Sequence, residues 1–208
     1  MKNVTLLATL LLLLFNRADA QNASASPSTN TFTSKLLIER EGLKVLGYRS
    51  LIEFNSNKFA AILPTNFRVQ SDRQRHRIVA QSEDKSCVLS LSFTNAIILE
   101  KDEELDHKYL ESRLAGQFQG AKALGESWQF ALEDQAPTFD LLRKTAAGEI
   151  HKIRVSFIGT AKALITVSMT SSQDRFDNHA FTFADLLASL LQAGKDGELE
   201  INPLSNKL

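Results

Sequence analysis

Hydrophobic and polar positions alternate most clearly in two runs near the C-terminal end, Ile150 to Phe157 and Lys162 to Met169. In the first, Ile153, Val155 and Phe157 alternate with Lys152, Arg154 and Ser156, the period-2 pattern of a strand with one buried and one wet face. In the second, Ala163, Ile165, Val167 and Met169 point one way, and Leu164, Thr166 and Ser168 the other. Ile158 to Ala161 form a short link whose Gly159 can take a positive φ, so the pair predicts an antiparallel hairpin. The period then changes. Phe176, Ala180, Phe183, Leu187, Leu190 and Leu191 recur at helical steps and predict a helix over Asp174 to Gln192. Ser171 with Asp174 suits a capping box at its start, and Gly194 suits its stop.

Upstream, Lys35 to Phe54 is broken by Gly42 and Gly47 into short apolar pieces, which predicts short strands. Phe59 to Leu63 reads as a strand stopped by Pro64, with a continuation through Phe67 and Val69. Arg77 to Gln81 and Cys87 to Phe93 read as a hairpin around Glu83, Asp84 and Lys85. Asp102 to Phe118 predicts a helix with the stripe Leu105, Tyr109, Leu110, Leu114 and Phe118, capped by Asp102 and ended by Gly120. Ser127 to Leu132 and Thr138 to Thr145 add two strands. Strands, helix, strands, helix is the order of an antiparallel sheet with helices packed on it, an α+β fold.

The ends differ in composition. Residues 1–20 carry Lys2, an apolar run from Val4 to Phe15 and then Ala18-Asp19-Ala20, the form of an export signal cleaved near Ala20. That run is shorter than the ~20 apolar residues of a membrane-spanning helix, so no transmembrane segment is expected. Residues 21–34 are rich in Ser, Asn and Thr and read as a flexible linker, 35–194 as one α+β domain and 195–208 as a tail. Asn22-Ala23-Ser24 fits a glycosylation sequon, relevant only in a eukaryotic source. The chain has 24 basic and 24 acidic residues, so nothing global attracts it to nucleic acid, and a charged partner must meet a local patch. Cys87 is the sole cysteine, which excludes an intramolecular disulfide.

Ile62-Leu63-Pro64 with Phe67 after it, a central helix, and a hairpin running into Asp174-Arg175-Phe176-Asp177 before an apolar C-terminal helix together resemble the Mog/PsbP-like α-β-α sandwich group. That group includes the photosystem extrinsic PsbP proteins, the Ran-binding Mog proteins and exported bacterial proteins. The resemblance covers roughly Phe54 to Leu191. It implies the sandwich fold and a docking role without catalysis, and it carries no metal-binding or photosystem-contact residue onto this chain.

The chemistry-bearing residues support no catalytic constellation. His76, His107, His151 and His179 lie on four different elements without metal-ligand spacing, so no metal and no cofactor are expected. Asp102, Glu103, Glu104 and Asp106 suit a helix start better than a calcium loop. Cys87 falls on an apolar strand face, and Glu126, Glu133 and Asp134 beside Trp128 read as a solvated strand edge with a core tryptophan. One cluster stands out. Arg73, Arg75 and Arg77 alternate, so in an extended segment they project together, with Arg68 close in sequence. Grouped guanidinium groups fork onto phosphate or carboxylate, and the alternative role is to keep an edge strand from pairing with other chains.

The expectation is an exported, non-enzymatic binding or protein-interaction module. Its partner would be a protein or an anionic envelope component met through Arg68, Arg73, Arg75 and Arg77. The alternatives are an exported hydrolase whose site assembles from distant residues, and a small-ligand carrier. A cleft with titratable groups in hydrogen-bond reach would favour the first, an apolar cavity the second.

Overall fold

The computed structural model describes residues 30–41, 44–95, 107–132, 134–160 and 163–193. Eleven strands in these segments form two antiparallel sheets. The smaller has the order β1-β2-β3-β11, from β1 (Phe32–Glu41), β2 (Lys44–Phe54), β3 (Asn57–Leu63) and β11 (Leu191–Gln192). The larger has the order β4-β5-β6-β10-β9-β8-β7. Its strands are β4 (Phe67–Asp72), β5 (Arg77–Ser82), β6 (Cys87–Asn95), β7 (Ala121–Ala131), β8 (Asp134–Lys144), β9 (Ile150–Gly159) and β10 (Ala163–Ser172). The turn after Pro64 therefore carries the chain from one sheet to the other rather than along one strand.

The predicted hairpin is β9–β10, and Gly159 is its last β9 residue, paired with Leu164, not a left-handed turn residue. Thr160 closes the link, its N–H donating to Ala163 O at 2.9 Å. The wet face expected for these strands is absent, because β9 and β10 are largely buried on both faces. On the inner face, Ala163, Ile165, Val167 and Met169 join the core formed with Phe54, Phe59 and the helix α2 (Ala180–Ala188). On the outer face, the helix α1 (His107–Gln117) sets Leu110 and Leu114, followed by Phe118, on Phe139, Leu141, Ile153, Val155, Phe157 and Leu164. Gly120, at φ +76°, ends that helix as its sequence predicts. Residues 102–106, with the expected Asp102 cap, lie outside the described residues.

The C-terminal helix is shorter than its periodicity predicts. A 3-10 turn, Phe176–His179, precedes α2, and Leu191 belongs to β11, paired with Ala60. Pairing with the β3 edge satisfies backbone groups there while Leu190 still enters the core. The capping box does not form. Ser171 Oγ donates instead to Ser86 O at 2.8 Å, and His179 occupies the N-cap without a side-chain bond. Gly194 lies outside the described residues.

Three further expectations change. Lys35 to Phe54 belongs to two long strands, whose register shifts between Glu39 and Arg40 where Gly47 pairs. Phe32 to Ser34 are strand residues of β1, with Phe32 in the core, so the folded unit starts before the boundary expected at residue 35. Trp128 is 53% exposed instead of core, because β7 is the outermost strand of its sheet. Among the described residues, no helix is long and apolar enough to cross a membrane.

Candidate functional site: a hydroxyl-lined trough

Strand register gathers a polar surface that runs along the middle of the large sheet's outer face. Ser90, Ser92 and Thr94 alternate with the core residues Leu89, Leu91 and Phe93 on β6, and Thr166, Ser168 and Thr170 alternate with Ile165, Val167 and Met169 on β10. Ser92 pairs with Thr166, and Ser90 with Ser168, so the hydroxyl residues face outward side by side. On β5, Arg77 and Val79 continue the same two rows, and on β4 so do Asp72 and Gln70.

Burial deepens across this face. Arg68 and Gln70 on β4 are exposed, and Val79 and Gln81 on β5 are half-buried. Ser90 is 8% exposed, Ser168 7%, Thr166 5% and Thr170 3%. The deepest line is therefore β10, between the open β4–β5 side and α1 on the other. From α1, Arg113 reaches β6 and donates through Nη2 to Thr94 Oγ1 at 3.2 Å, with its guanidinium 6.0 Å from the Tyr109 ring centroid. Thr94 Oγ1 in turn donates to Leu164 O at 3.4 Å.

Several polar atoms here have no hydrogen-bonding partner among the described residues. They are Thr166 Oγ1, Thr170 Oγ1, Gln117 Oε1 and Arg113 Nε. Leaving a buried polar group unsatisfied costs about 1–3 kcal/mol, so native structures pair nearly all of them. The trough thus offers hydroxyl groups of either polarity, one amide acceptor and one guanidinium donor.

The basic cluster lies at the rim of this surface, in a different shape from the one expected. Residues 73–76 form the turn between β4 and β5, with His76 at φ +48°, so Arg73, Arg75 and Arg77 do not project together from an extended segment. Arg75 and Arg77 both fold back on Asp72, at 3.9 and 3.4 Å, while Arg73 and Arg68 are exposed. Arg68 and Arg77 share the outer face with the trough through the β4–β5 register. Sequence reasoning did not find Arg113, Gln117, Thr166 or Thr170 as site residues. Their signal was the paired patterns Ser-x-Ser-x-Thr in β6 and Thr-x-Ser-x-Thr in β10, read only as a wet face.

A second polar constellation joins the β5–β6 turn to the start of α2. Asp84 Oδ1 accepts from Ser82 Oγ at 2.6 Å, from the Ser86 backbone N–H at 3.0 Å and from Ser86 Oγ at 2.8 Å. His179 Nε2 lies 3.0 Å from Ser86 Oγ, and Arg175 Nη1 3.1 Å from Asp84 Oδ2. The Ser82 and Ser86 bonds, with the Arg175 charge, hold the Asp84 carboxyl well below its ordinary range. Asp84 bonds the serine hydroxyl, not the imidazole, so the three groups do not follow the carboxylate–imidazole–hydroxyl order of a nucleophilic triad. Burial, then the Asp84 charge, push the Cys87 thiol up to about 12, which leaves it inert. Among the described residues, no group of three or more His, Cys, Asp or Glu side chains is placed to hold a metal ion.

No protein-family model and no curated protein matches the chain. Solved structures do resemble it. The solution structure of cyanobacterial PsbP (CyanoP) from Synechocystis sp. PCC 6803 has a TM-score of 0.51 and 10% identity, covering 74% of this chain and 97% of that one. LpqN of Mycobacterium tuberculosis, involved in cell envelope biogenesis, has a TM-score of 0.46 and 10% identity, covering 78% and 92%. The Saccharomyces cerevisiae Ran-binding protein Mog1p has a TM-score of 0.43 and 10% identity, covering 77% and 95%. With strand order, layering and the CyanoP likeness in agreement, the chain has the Mog/PsbP-like α+β sandwich fold that its sequence led us to expect.

Proposed function

We propose that this chain is an exported, non-enzymatic binding module whose ligand occupies the hydroxyl-lined trough. The observation that carries this reading is the pair of deeply buried hydroxyls, Thr166 Oγ1 and Thr170 Oγ1, left without a partner on one strand face. A bound polar molecule supplies those bonds. The export part rests on the sequence of residues 1–20, and the resemblance to non-catalytic docking proteins agrees with it.

A hydrolase gains no support from Ser86 and His179, since Asp84 bonds the serine and leaves the imidazole, among the described residues, without an orienting carboxylate. The trough floor is polar, which does not suit an apolar-ligand carrier. Arg68 and Arg73, exposed at the rim, remain available to steer a charged partner toward the same face.

Amide NMR of residues 21–208 against a panel of polar and charged small molecules tests the reading. Binding in the trough shifts the amides of Ser90, Ser92, Thr166, Ser168 and Thr170 together. Shifts confined to other surfaces, or a ligand converted to product, overturn it.

A further inference from the structure

Resting on the trough as the binding site, we propose that its ligand is a small hydroxylated acid, a carboxylate or phosphate monoester carried on a polyol, with its oxyanion anchored by Arg113. Three features of the site lead there. The first is the state of Arg113. Its Nη2 is held by Thr94 and its face lies near Tyr109, while its buried Nε–H has no partner. A guanidinium fixed in this way is already organised to accept an oxyanion, with little side-chain freedom left to lose on binding.

The second is that the described strands flooring the trough carry a single carboxylate. On the outer face of β4, β5, β6 and β10, Asp72 is the only carboxylate among the described residues, and Arg75 and Arg77 already bind it. Positive charge in the trough is therefore not neutralised from its floor. The third is the mixed polarity of the unpartnered atoms. Arg113 Nε requires an acceptor and Gln117 Oε1 requires a donor, whereas Thr166 and Thr170 can serve as either. A proton-free anion such as chloride or sulfate satisfies the first requirement and leaves Gln117 without a donor, but an acid bearing hydroxyl groups satisfies both.

Placement sets the orientation and length. Arg113 touches Thr94, which pairs with Leu164, so the anchor lies at the Leu164 end of β10. After α1 the chain enters β7 at Ala121, which is joined through Arg143 and His151 to Ser172 at the other end of β10. Gln117, one turn beyond Arg113, therefore lies toward the Thr170 end. From Leu164 to Thr170 the strand rises about 20 Å. One sugar-sized ring reaches from Arg113 to Thr166, and a short acidic oligosaccharide reaches Thr170.

Calorimetry and amide NMR on residues 21–208 at fixed ionic strength, with D-glucuronate, D-glucose 6-phosphate and D-glucose as probes, provide the test. Both acids are expected to bind about tenfold or more tightly than glucose, and the stronger of the two identifies the oxyanion. Arg113→Gln should weaken the acids about 10- to 100-fold and leave glucose unchanged, the scale of one charge-assisted contact. Arg113→Lys should recover part of the loss. Thr166→Val should weaken all three probes. Amide dispersion and thermal midpoint of each variant show whether it is folded. If glucose binds as tightly as the acids, or Arg113→Gln in a folded protein leaves acid binding intact, the oxyanion assignment fails while the trough stands. If no probe at tens of millimolar shifts the trough amides, the assignment fails, and the trough reading then depends on the wider panel.

Discussion

Arg113 on α1 and Thr94 on β6 are joined by a 3.2 Å hydrogen bond that ties the helix to a strand beyond the three its apolar stripe covers. Leu110 and Leu114 belong to the cluster over β8, β9 and Leu164 of β10, and the arginine reaches past β10 to the next strand. The bond bounds one end of the trough and fixes the guanidinium there.

The orphaned hydroxyls predict an inverted stability effect. Thr166→Val or Thr170→Val keeps the shape and removes a buried group that has no partner, so each should raise the thermal midpoint of the ligand-free protein, by about 1 kcal/mol of stability. A lower midpoint for both variants would indicate that the hydroxyls are satisfied internally, with no call for a ligand.

The two phenylalanines of α2 should separate sharply. Phe183 is 0% exposed within the main core, whereas Phe181 is 82% exposed. Phe183→Ala should cost about 3–5 kcal/mol in denaturant unfolding. Phe181→Ala should change stability by no more than about 0.5 kcal/mol. Equal effects would mean that the face of α2 has been assigned wrongly.

Asp140 gives an acid-sensitive contribution to stability. Burial opposes its ionisation, but Arg154 at 2.7 and 2.8 Å and Lys152 at 3.4 Å more than offset this and hold the carboxyl below its ordinary value. Since the folded pKa is the lower one, the stabilisation is present above the unfolded value of about 3.9 and is lost as pH falls through the folded value. Asp140→Asn should therefore destabilise the protein at pH 7, by about 1–3 kcal/mol, with the gap from wild type closing below pH ~4. A constant gap across that range would rule out a titrating Asp140.

His151 adds a second window. Burial, the largest influence, with the nearby Arg143 charge, outweighs Glu149 and lowers its pKa. Its stabilisation is thus complete above the unfolded value of about 6.5 and declines as pH falls through and below it. Thermal midpoints from pH 7.5 to 5 should fall less in His151→Gln than in wild type, after allowance for any uniform offset. An identical decline in the two proteins would exclude this histidine as a source of the pH dependence.

Cys87 should resist chemistry until the fold opens. Its thiol is completely buried and its pKa is pushed up to about 12, so the thiolate is scarce at pH 8. A maleimide or disulfide reagent should label it only in denaturant. Rapid labelling of native protein would contradict the buried placement.

Local pattern alone determined a good deal here. The β9–β10 hairpin, the α1 stripe Leu110, Leu114 and Phe118, the positive φ of Gly120 and the apolar setting of Cys87 all follow from periodicity and residue type, which act over a few neighbours. The Mog/PsbP-like order of elements was legible for the same reason. Tertiary structure decided the rest. Whether Thr166 and Ser168 meet water depends on what lies above β10, and a period-2 pattern reports only that two faces differ. Trp128 is exposed because β7 ends its sheet, and Leu191 leaves the helix because a strand edge lies beside it. Arg73, Arg75 and Arg77 alternate in sequence, but a turn and a shared carboxylate at Asp72 separate them. The trough belongs to this second kind. Its hydroxyls come from strands about 70 residues apart, and its guanidinium from a helix between them, so only sheet pairing could bring them to one face.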